Sequence, residues 1–241
     1  MADDTKDRPF EGQLALVTGA SKGIGAAIAT ELAGRGAHVL LVARDDRKLE
    51  AVEEAIHAAG GSATIAPLDL AEPESVARLA QAIAGRWDAL DMLVINAAVL
   101  PPLAPVQDIE PKGFAKALTV NVLATQSLLA GFHPLLKNAA DPRLVGITSS
   151  VGAKPRAFWG GYGSSKAAFD SLLGSYAAEN DKATAIRTLI VDPGATRTDM
   201  RARAFPGEDP NTVKTTDVVA REVADCLDSG FTNGHYFRVN Q

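Results

Sequence analysis

The segment SSVGAKPRAFWGGYGSSK, residues 149–166, carries the side chains of this chain best suited to chemistry. Lys166 follows Tyr162 by four residues, so on a helix the two side chains lie one turn apart on one face. A free tyrosine has a pKa of about 10, too high for efficient proton exchange near neutrality, and a neighbouring cation lowers it. The pair could therefore exchange a proton with a substrate oxygen. An ordinary helix start with an exposed tyrosine and a surface lysine has the same spacing, so the spacing alone does not decide.

Apolar runs rich in β-branched residues alternate with segments of helical periodicity. The predicted strands are LALVT, HVLLVA, ATIAPL, MLVIN, RLVGITS, RTLIVD and HYFRV, and the predicted helices span residues 26–33, 46–59, 74–86, 112–136, 164–179 and 216–228. This alternation predicts an α/β fold, a single Rossmann-like, doubly wound domain over residues 1–241 with about seven parallel strands flanked by helices. Residues 1–12 are expected to be a polar extension, and residues 204–214 a loop.

The segment TGASKGIG, residues 18–25, lies between the first predicted strand and the first predicted helix. Gly19, Gly23 and Gly25 allow a tight turn and a close approach of the backbone to a ligand. The helix N-terminus behind them offers unpaired N–H groups to a pyrophosphate. Their GxxxGxG spacing differs from the usual GxGxxG fingerprint. The turn predicts a phosphate site, with a merely tight connection as the alternative.

The end of the second predicted strand bears on the choice between NAD and NADP. NAD sites commonly place a carboxylate there, whereas this strand ends at Ala43 and continues with Arg44. A guanidinium suits a 2′-phosphate, and Lys22 could add a second cation. Asp45 and Asp46 could still offer a carboxylate after a small shift, or one of them caps the next helix. We predict NADP(H) as the preferred cofactor, with NAD(H) as the alternative.

Two further segments follow predicted strands. Asp69 and Leu70 follow the third, where Asp69 could hold an adenine amino group or cap a helix that begins near residues 72–73. In DPGATRT, Pro193 and Gly194 turn the chain sharply after the sixth. Both segments are candidates for contact with the cofactor.

Six motifs occur in the order typical of the short-chain dehydrogenase/reductase family: TGASKGIG, INAA, VNVLAT, SSVG, YGSSK and DPGATRT. The chain resembles that family from about residue 14 to residue 239. Each motif is weakly specific alone, but the shared order makes a strong signal. The resemblance implies hydride transfer between a nicotinamide and a carbonyl or secondary alcohol, with Tyr162 as general acid and base. The implied catalytic residues are Asn121, Ser149, Tyr162 and Lys166.

The resemblance also implies what each catalytic residue does. Ser149 would hold the substrate oxygen near Tyr162, with Ser150 as the competing candidate. Lys166 would lower the pKa of Tyr162 and hold the nicotinamide ribose. Asn121 would bind a water that links Lys166 to solvent; the alternative is a buried asparagine that only satisfies nearby backbone groups.

Cofactor contacts follow from the same resemblance. Ala195 and Thr196 would bind the nicotinamide carboxamide, and Thr198 a phosphate. The family usually has Asn-Ala-Gly after the fourth strand, and Ala98 in place of that glycine predicts a small local adjustment rather than lost binding. The predicted contacts are Gly19, Ser21, Lys22, Gly23, Ile24, Gly25, Arg44, Asp69, Leu70, Asn96, Ala97, Ala98, Tyr162, Lys166, Pro193, Gly194, Ala195, Thr196 and Thr198.

The substrate is predicted to be an uncharged carbonyl or alcohol with an aromatic or aliphatic body. The apolar candidate walls are Val99, Leu100, Pro101, Pro102, Phe158, Trp159, Met200 and Phe205. A carboxylate or phosphate is the alternative, because of Lys154, Arg156, Arg201 and Arg203. Residues 196–214 are predicted to be a substrate loop or lid.

A homodimer or homotetramer is expected. The predicted helices over residues 112–136 and 164–179 are apolar around much of their circumference, which suggests a second buried surface, and the family commonly builds its dimer interface from them. The apolar residues in question are Ala124, Leu128, Leu129, Phe132, Phe169, Leu172 and Leu173.

Composition argues against several other classes of protein. A net charge of −5 gives no basic field for nucleic acid or an anionic membrane. The first ten residues lack the apolar stretch of a signal peptide, and no run reaches the roughly 18 apolar residues of a membrane span, so a cytoplasmic protein is expected. Cys226 is predicted to be a core thiol. The histidines lie in separate predicted elements without ligand spacing, which predicts no metal: His38, His57, His133 and His235.

A non-catalytic sensor or scaffold that binds a nicotinamide dinucleotide is the alternative to an enzyme. Such proteins often lose the tyrosine or the lysine of the catalytic pair. This chain keeps both Tyr162 and Lys166, which favours the enzyme.

Overall fold

A computed structural model describes residues 8–72 and 74–240. Seven parallel strands form one sheet in the order β3-β2-β1-β4-β5-β6-β7, so the chain winds to one edge and then crosses back beside β1. The α/β, doubly wound fold predicted from the sequence is confirmed. The strands are β1 Leu14–Thr18, β2 His38–Ala43, β3 Ser62–Pro67, β4 Met92–Ile95, β5 Arg143–Ile147, β6 Arg187–Asp192 and β7 His235–Arg238.

Helices cover both faces of this sheet. They are α1 Gly23–Gly34, α2 Asp46–Ala58, α3 Ser75–Ala84, α4 Pro111–Leu118, α5 Ala124–Asn138, α6 Ser150–Ala153, α7 Gly160–Asn180, α8 Asp199–Ala204 and α9 Thr216–Ser229, with short 3-10 turns at Val106–Asp108 and Pro210–Thr212. The single helix predicted over residues 112–136 is divided: a π-helical turn, Thr119–Leu123, separates α4 from α5. Periodicity did not reveal this turn because the apolar pattern continues through it.

Two apolar clusters lie on opposite faces of the sheet. Helices α1, α2 and α9 pack over one face through residues such as Ile28, Leu49 and Val223. Helices α3, α5 and α7 pack over the other through residues such as Phe132 and Leu173. Because β1, β4 and β5 are buried along their whole length, their sequences are mostly unbroken apolar runs rather than alternating, with Thr18 and Arg143 as buried polar exceptions at strand ends.

The apolar character of α5 and α7 is explained within one chain. The residues that suggested a second buried surface are already at most 9% exposed in the core, apart from half-buried Leu172: Ala124, Leu128, Leu129, Phe132, Phe169 and Leu173. These residues are therefore not the second apolar surface that had suggested an oligomer. Leu123, 61% exposed, is the large apolar side chain that this stretch does leave open.

Part of the expected polar extension belongs to the core. Residues 1–7 lie outside the described residues. Phe10 is 1% exposed, its N–H donates to the Arg35 carbonyl, and the Arg143 guanidinium lies 5.7 Å from its ring centroid. Cys226, predicted to be buried, is half-buried against the α9 side of the core. Among the described helices none has the length and apolarity needed to cross a bilayer.

Candidate active site

A cavity of about 950 Å³ opens at the carboxyl ends of the strands, where ligands of α/β proteins usually bind. Eighteen of the predicted site residues line it: Gly19, Ser21, Lys22, Gly23, Ile24, Arg44, Asp69, Leu70, Asn96, Ala97, Ala98, Ser149, Tyr162, Lys166, Pro193, Gly194, Thr196 and Thr198. Gly25, Asn121 and Ala195 do not line it. The sequence analysis missed other residues of its wall, among them Val42, Lys48, Leu68, Val120, Ile147 and Thr148.

The glycine turn after β1 has the geometry of a phosphate cradle. Gly19 and Gly23 have φ of +68° and +61°, a region that side chains disfavour. A Cβ atom at Gly25 would lie 2.4 Å from the Gly19 carbonyl oxygen, so Gly25 allows close packing beneath the turn rather than contact with a ligand. Lys22 is the N-cap residue of α1, and its ammonium, which has no acceptor, leaves the first-turn N–H groups uncapped. Those groups are therefore free to bind an anion, and a dinucleotide pyrophosphate fits here.

Two side chains join this turn to the end of β4. Thr18 Oγ1 accepts hydrogen bonds from the N–H groups of Asn96 and Ala97, at 3.0 and 3.1 Å, and donates to the Val94 carbonyl at 3.3 Å. Asn96 Nδ2 donates to the Thr18 carbonyl at 2.9 Å. These bonds hold the ends of β1 and β4 together at the cavity edge. Asn96 was predicted to contact the cofactor, but its side-chain amide donates to the backbone of this turn.

Tyr162 and Lys166 lie one turn apart on α7 and share the cavity wall. Both are buried, and Lys166 Nζ lies 6.0 Å from the Tyr162 ring centroid and donates to the Ile147 carbonyl at 2.7 Å. Burial lowers the pKa of Lys166 to about 8 and raises the pKa of Tyr162. The alternative of an exposed tyrosine and a surface lysine is therefore wrong.

Ser149 follows β5 directly and lines the same cavity as this pair. It is the N-cap residue of α6, yet no first-turn N–H bonds its hydroxyl, so that hydroxyl is free to meet a ligand. Ser149 lines the cavity, and Ser150, the competing candidate, does not.

Asn121 sits in the π-helical turn and ties the loop after β4 to α7. Its Oδ1 accepts from the Val99 N–H at 2.8 Å, and its Nδ2 donates to the Val99 carbonyl at 3.0 Å and to Ser165 Oγ at 2.9 Å. Asn121 is 1% exposed. These contacts match the alternative in which the side chain satisfies nearby backbone groups. π-Turns are frequent at functional sites, because they displace one side chain from the regular helix surface.

The end of the cavity beside β2 carries two cations and two carboxylates, each cation paired with one carboxylate. Arg44 NH1 lies 3.8 Å from Asp69 Oδ2 and both line the cavity. Asp45 is the N-cap of α2: it accepts from the Lys48 N–H at 3.2 Å and pairs with Lys48 Nζ at 3.1 Å. Its carboxylate is thus engaged locally.

Lys48 was not among the predicted cofactor contacts. Its position one turn into a helix that starts at the cavity could have identified it as one. Lys22, expected beside a 2′-phosphate, is paired instead with Asp199 at 2.6 Å.

Asp69 does not cap a helix. Its Oδ1 accepts from the Ala71 N–H at 2.9 Å, and α3 begins only at Ser75 with Glu74 as its N-cap. The helix-cap alternative is therefore wrong, and the carboxylate instead lies at the cavity beside Leu70.

The opposite end of the cavity has a mainly apolar wall. Val99, Leu100, Trp159 and Met200 line it as predicted. The other predicted walls do not: Pro101, Pro102, Phe158 and Phe205. Phe158 is 56% exposed at a φ of +71°, because the turn before α7 directs its side chain to solvent. Phe205 packs behind the wall, with its ring 5.7 Å from that of Trp159.

Residues 196–214, predicted as a lid, contain α8 and a 3-10 turn rather than an unstructured loop. A parallel bridge pairs Thr196 with Lys214, so the segment leaves and rejoins the body at one place. The ion pair between Lys22 and Asp199 joins α8 to the glycine turn. Arg201, stacked 3.7 Å from the Phe205 ring centroid, pairs with Glu208 through Nε at 2.7 Å and NH2 at 2.5 Å.

Comparisons with known proteins agree with this geometry. Residues 13–209 match the sequence profile of the short chain dehydrogenases. The chain is 38% identical over 206 residues to the uncharacterized oxidoreductase YciK of Escherichia coli K12, covering 84% of this chain and 81% of that protein. A short-chain dehydrogenase from Shigella flexneri 2a, crystallised with NADP, is 34% identical, with a TM-score of 0.92 over 97% of this chain and 99% of its own. Another, from Escherichia coli CFT073 with NADPH, is 35% identical, with a TM-score of 0.91 over 98% and 100%. The chain therefore belongs to the short-chain dehydrogenase family of oxidoreductases.

Proposed function

We propose that the protein transfers hydride between NADP(H) and an uncharged carbonyl or secondary alcohol, with Tyr162 as the general acid and base. The observation that carries this proposal is that Tyr162, Lys166 and Ser149 line one cavity, at the end of the strands where the glycine turn offers free N–H groups. The nicotinamide, when bound, supplies or accepts the hydride. The protein's own task is then to hold the substrate oxygen and move its proton.

The burial of Tyr162 suits it to the acid role. Its raised pKa keeps the phenol protonated near neutrality, ready to donate to an oxygen that gains negative charge during reduction. The ammonium of Lys166 favours the tyrosinate that remains. The free hydroxyl of Ser149 is available to hold the same oxygen and to orient it toward Tyr162.

The cavity end beside β2 supports a preference for NADP(H). Arg44 lines it directly after the strand, and Lys48 lies one turn into α2. Asp45 is the carboxylate that could otherwise favour NAD, but it caps α2 and pairs with Lys48. Two similar proteins of the family crystallised with NADP or NADPH agree with this choice.

An uncharged substrate follows from the other end of the cavity. Trp159, Leu100 and Met200 offer apolar surface there. Of the four cations predicted to meet an anionic substrate, Arg201 lines the cavity, but the Glu208 carboxylate binds both Nε and NH2 of its guanidinium. A carboxylate substrate would therefore have to displace Glu208 in order to bind Arg201. We further propose that residues 196–214 act as a lid over the substrate and that the protein forms a homodimer or homotetramer, as is common in its family.

The test is NADPH oxidation by purified protein against a panel of ketones, aldehydes and quinones, with NADH in parallel. Tyr162→Phe removes the proton donor and should lower turnover at least 100-fold while NADPH binding stays within a few-fold of wild type. The matched control is Tyr176→Phe, which removes a hydroxyl on the same helix that bonds His133 and should leave turnover unchanged.

Other results would contradict the proposal in distinct ways. Full turnover in Tyr162→Phe would mean that another group donates the proton. Tight NADPH binding without turnover of any compound would favour the non-catalytic sensor or scaffold. Faster turnover with NADH would overturn the cofactor assignment to Arg44 and Lys48.

A further inference from the structure

Asp170 is a half-buried carboxylate on α7 that none of the roles above uses. It follows Lys166 by four residues and Tyr162 by eight, so the three side chains lie along one face of the helix. Its Oδ1 is buried, with no hydrogen-bond partner among the described residues. An unpartnered carboxylate oxygen is costly inside a protein, so a group held in this way calls for a functional explanation.

The elements around Asp170 pack closely against its side chain. A Cβ atom at Gly152 of α6 would lie 2.9 Å from Asp170 Oδ2 and 3.0 Å from the Lys166 carbonyl carbon, so glycine allows α6 to pack closely here. Thr148, after β5, is 2% exposed, and its hydroxyl acts on the Asp170 carboxyl, lowering its pKa against the effect of burial. Neither Thr148 Oγ1 nor Asp170 Oδ1 has a hydrogen bond of ordinary geometry among the described residues. Asp170 therefore occupies a fitted position between α6, α7 and the end of β5.

Several charged and titratable groups act on this position. They are Tyr162 and Lys166 on α7, Asp192 on β6, and Tyr236 and Arg238 on β7. Burial raises the pKa of Asp170 and the charge of Asp192 adds to this, against the opposing effects of the Thr148 hydroxyl and then of Lys166. Asp192 has a cation of its own, since Arg238 Nε lies 3.6 Å from its Oδ2. The charge of Asp170 acts on Lys166 and Tyr162 of its own helix and on Tyr236 of β7.

Asp170 shifts Lys166 and Tyr162 in the same direction. Burial lowers the pKa of Lys166 to about 8, and the negative charge of Asp170 opposes this change. Burial raises the pKa of Tyr162, and the charges of Asp170 and then Asp192 raise it further. Loss of the carboxylate would thus lower the pKa of both groups.

We propose that Asp170 is a positioning residue whose carboxylate keeps the buried Lys166 protonated over the pH range in which Tyr162 exchanges its proton with substrate. Without it, the lysine would lose its charge at a lower pH, and the tyrosine would lose the cation beside it. The inference rests on the proposed function, because it assigns Asp170 to the proton transfer of that site.

The test is Asp170→Asn, which removes the charge and keeps the shape. The midpoint of the alkaline loss of kcat for carbonyl reduction should move to lower pH by about one unit. A ¹³C NMR titration of the Lys166 Cε, assigned with Lys166→Met, should move the same way without any need for turnover. Glu179→Gln is the matched control, because it removes an exposed charge from the far end of α7 and should shift neither midpoint.

Each alternative result has one meaning. A uniform loss of kcat with an unmoved pH profile and an unmoved lysine titration would make Asp170 merely structural and overturn the inference. An equal shift in Glu179→Gln would overturn it as well, since any acidic residue would then suffice. If wild type lacks turnover, the proposed function fails, while the NMR titration still decides whether Asp170 controls Lys166. Asp170→Ser supplies a second neutral variant if the amide disturbs packing against Gly152.

Discussion

Thr18 and Thr188 are two fully buried strand threonines whose hydroxyl groups have opposite surroundings. Both are 0% exposed. Thr18 Oγ1 accepts from two backbone N–H groups, those of Asn96 and Ala97. Thr188 Oγ1 has no hydrogen-bond partner among the described residues. Valine keeps the shape of threonine without the hydroxyl, so Thr18→Val and Thr188→Val isolate the effect of that group at each position.

The two substitutions should change stability in opposite directions. Thr18→Val leaves two N–H groups without their acceptor, and each stranded donor costs about 1–3 kcal/mol, so we expect a loss of roughly 2–4 kcal/mol. For a chain of this size that corresponds to a Tm lower by about 5–15 °C. Thr188→Val removes a buried hydroxyl whose desolvation nothing offsets, so its stability should be unchanged or higher by up to about 1 kcal/mol.

Thermal and urea unfolding of the two variants without cofactor gives the comparison. Thr18→Val should also weaken NADPH binding, because Asn96 and Ala97 line the cavity, and Thr188→Val should not. Thr18→Ser, which keeps the hydroxyl, should recover most of the loss. Equal destabilisation by both valine variants would refute the reasoning, since the cost would then come from the added methyl group and not from the stranded donors.

Two more predictions concern Gly25 and Lys166. Gly25→Ala places a Cβ 2.4 Å from the Gly19 carbonyl oxygen and should weaken NADPH binding at least tenfold, as measured by calorimetric titration. Gly34→Ala is the control in the same helix, because its Cβ would meet nothing within 4 Å. It should stabilise the fold by about 0.5–1 kcal/mol, as measured by thermal melts. Burial lowers the pKa of Lys166 from 10.5 to about 8, so below pH 8 its charge destabilises the fold by about 3 kcal/mol, and this cost disappears as pH rises from 8 to 10.5. Lys166→Met should be the more stable protein at pH 7 in urea melts, with a difference that shrinks toward pH 10.5; a difference independent of pH would contradict the assignment.

The sequence predicted the parts of this protein that depend on local pattern. The central strands were found because a buried parallel strand is a short, continuous run of apolar residues. The glycine turn and the pair of Tyr162 and Lys166 were also predictable, because their geometry follows from spacing along one strand–helix junction or one helix. Arg44 was found in the same way, since it comes directly after a strand.

Features that depend on tertiary packing were not predictable. Their apolar character and their position just before Tyr162 assigned Phe158 and Trp159 alike to the pocket, but the positive φ of Phe158 directs one ring to solvent and leaves only the other in the wall. The apolar residues of α5 and α7 suggested an interface between chains, although a sheet covered on this face by three helices buries them within one chain. A single sequence does not distinguish a surface buried in its own core from one buried by a partner.

The contacts of Asn121 show how hydrogen bonds between elements hold the site together. A regular helix would offer its next side chain at fixed angular steps, whereas the π-turn displaces Asn121 so that one amide reaches both backbone groups of Val99 and the hydroxyl of Ser165. Ser165 in turn donates to the Tyr162 carbonyl at 2.7 Å. One side chain thereby links the loop after β4 to the helix turn that carries Tyr162. If Tyr162 donates the proton as we propose, a shift of that loop would be transmitted to the proton donor, and substrate position and proton transfer would be coupled.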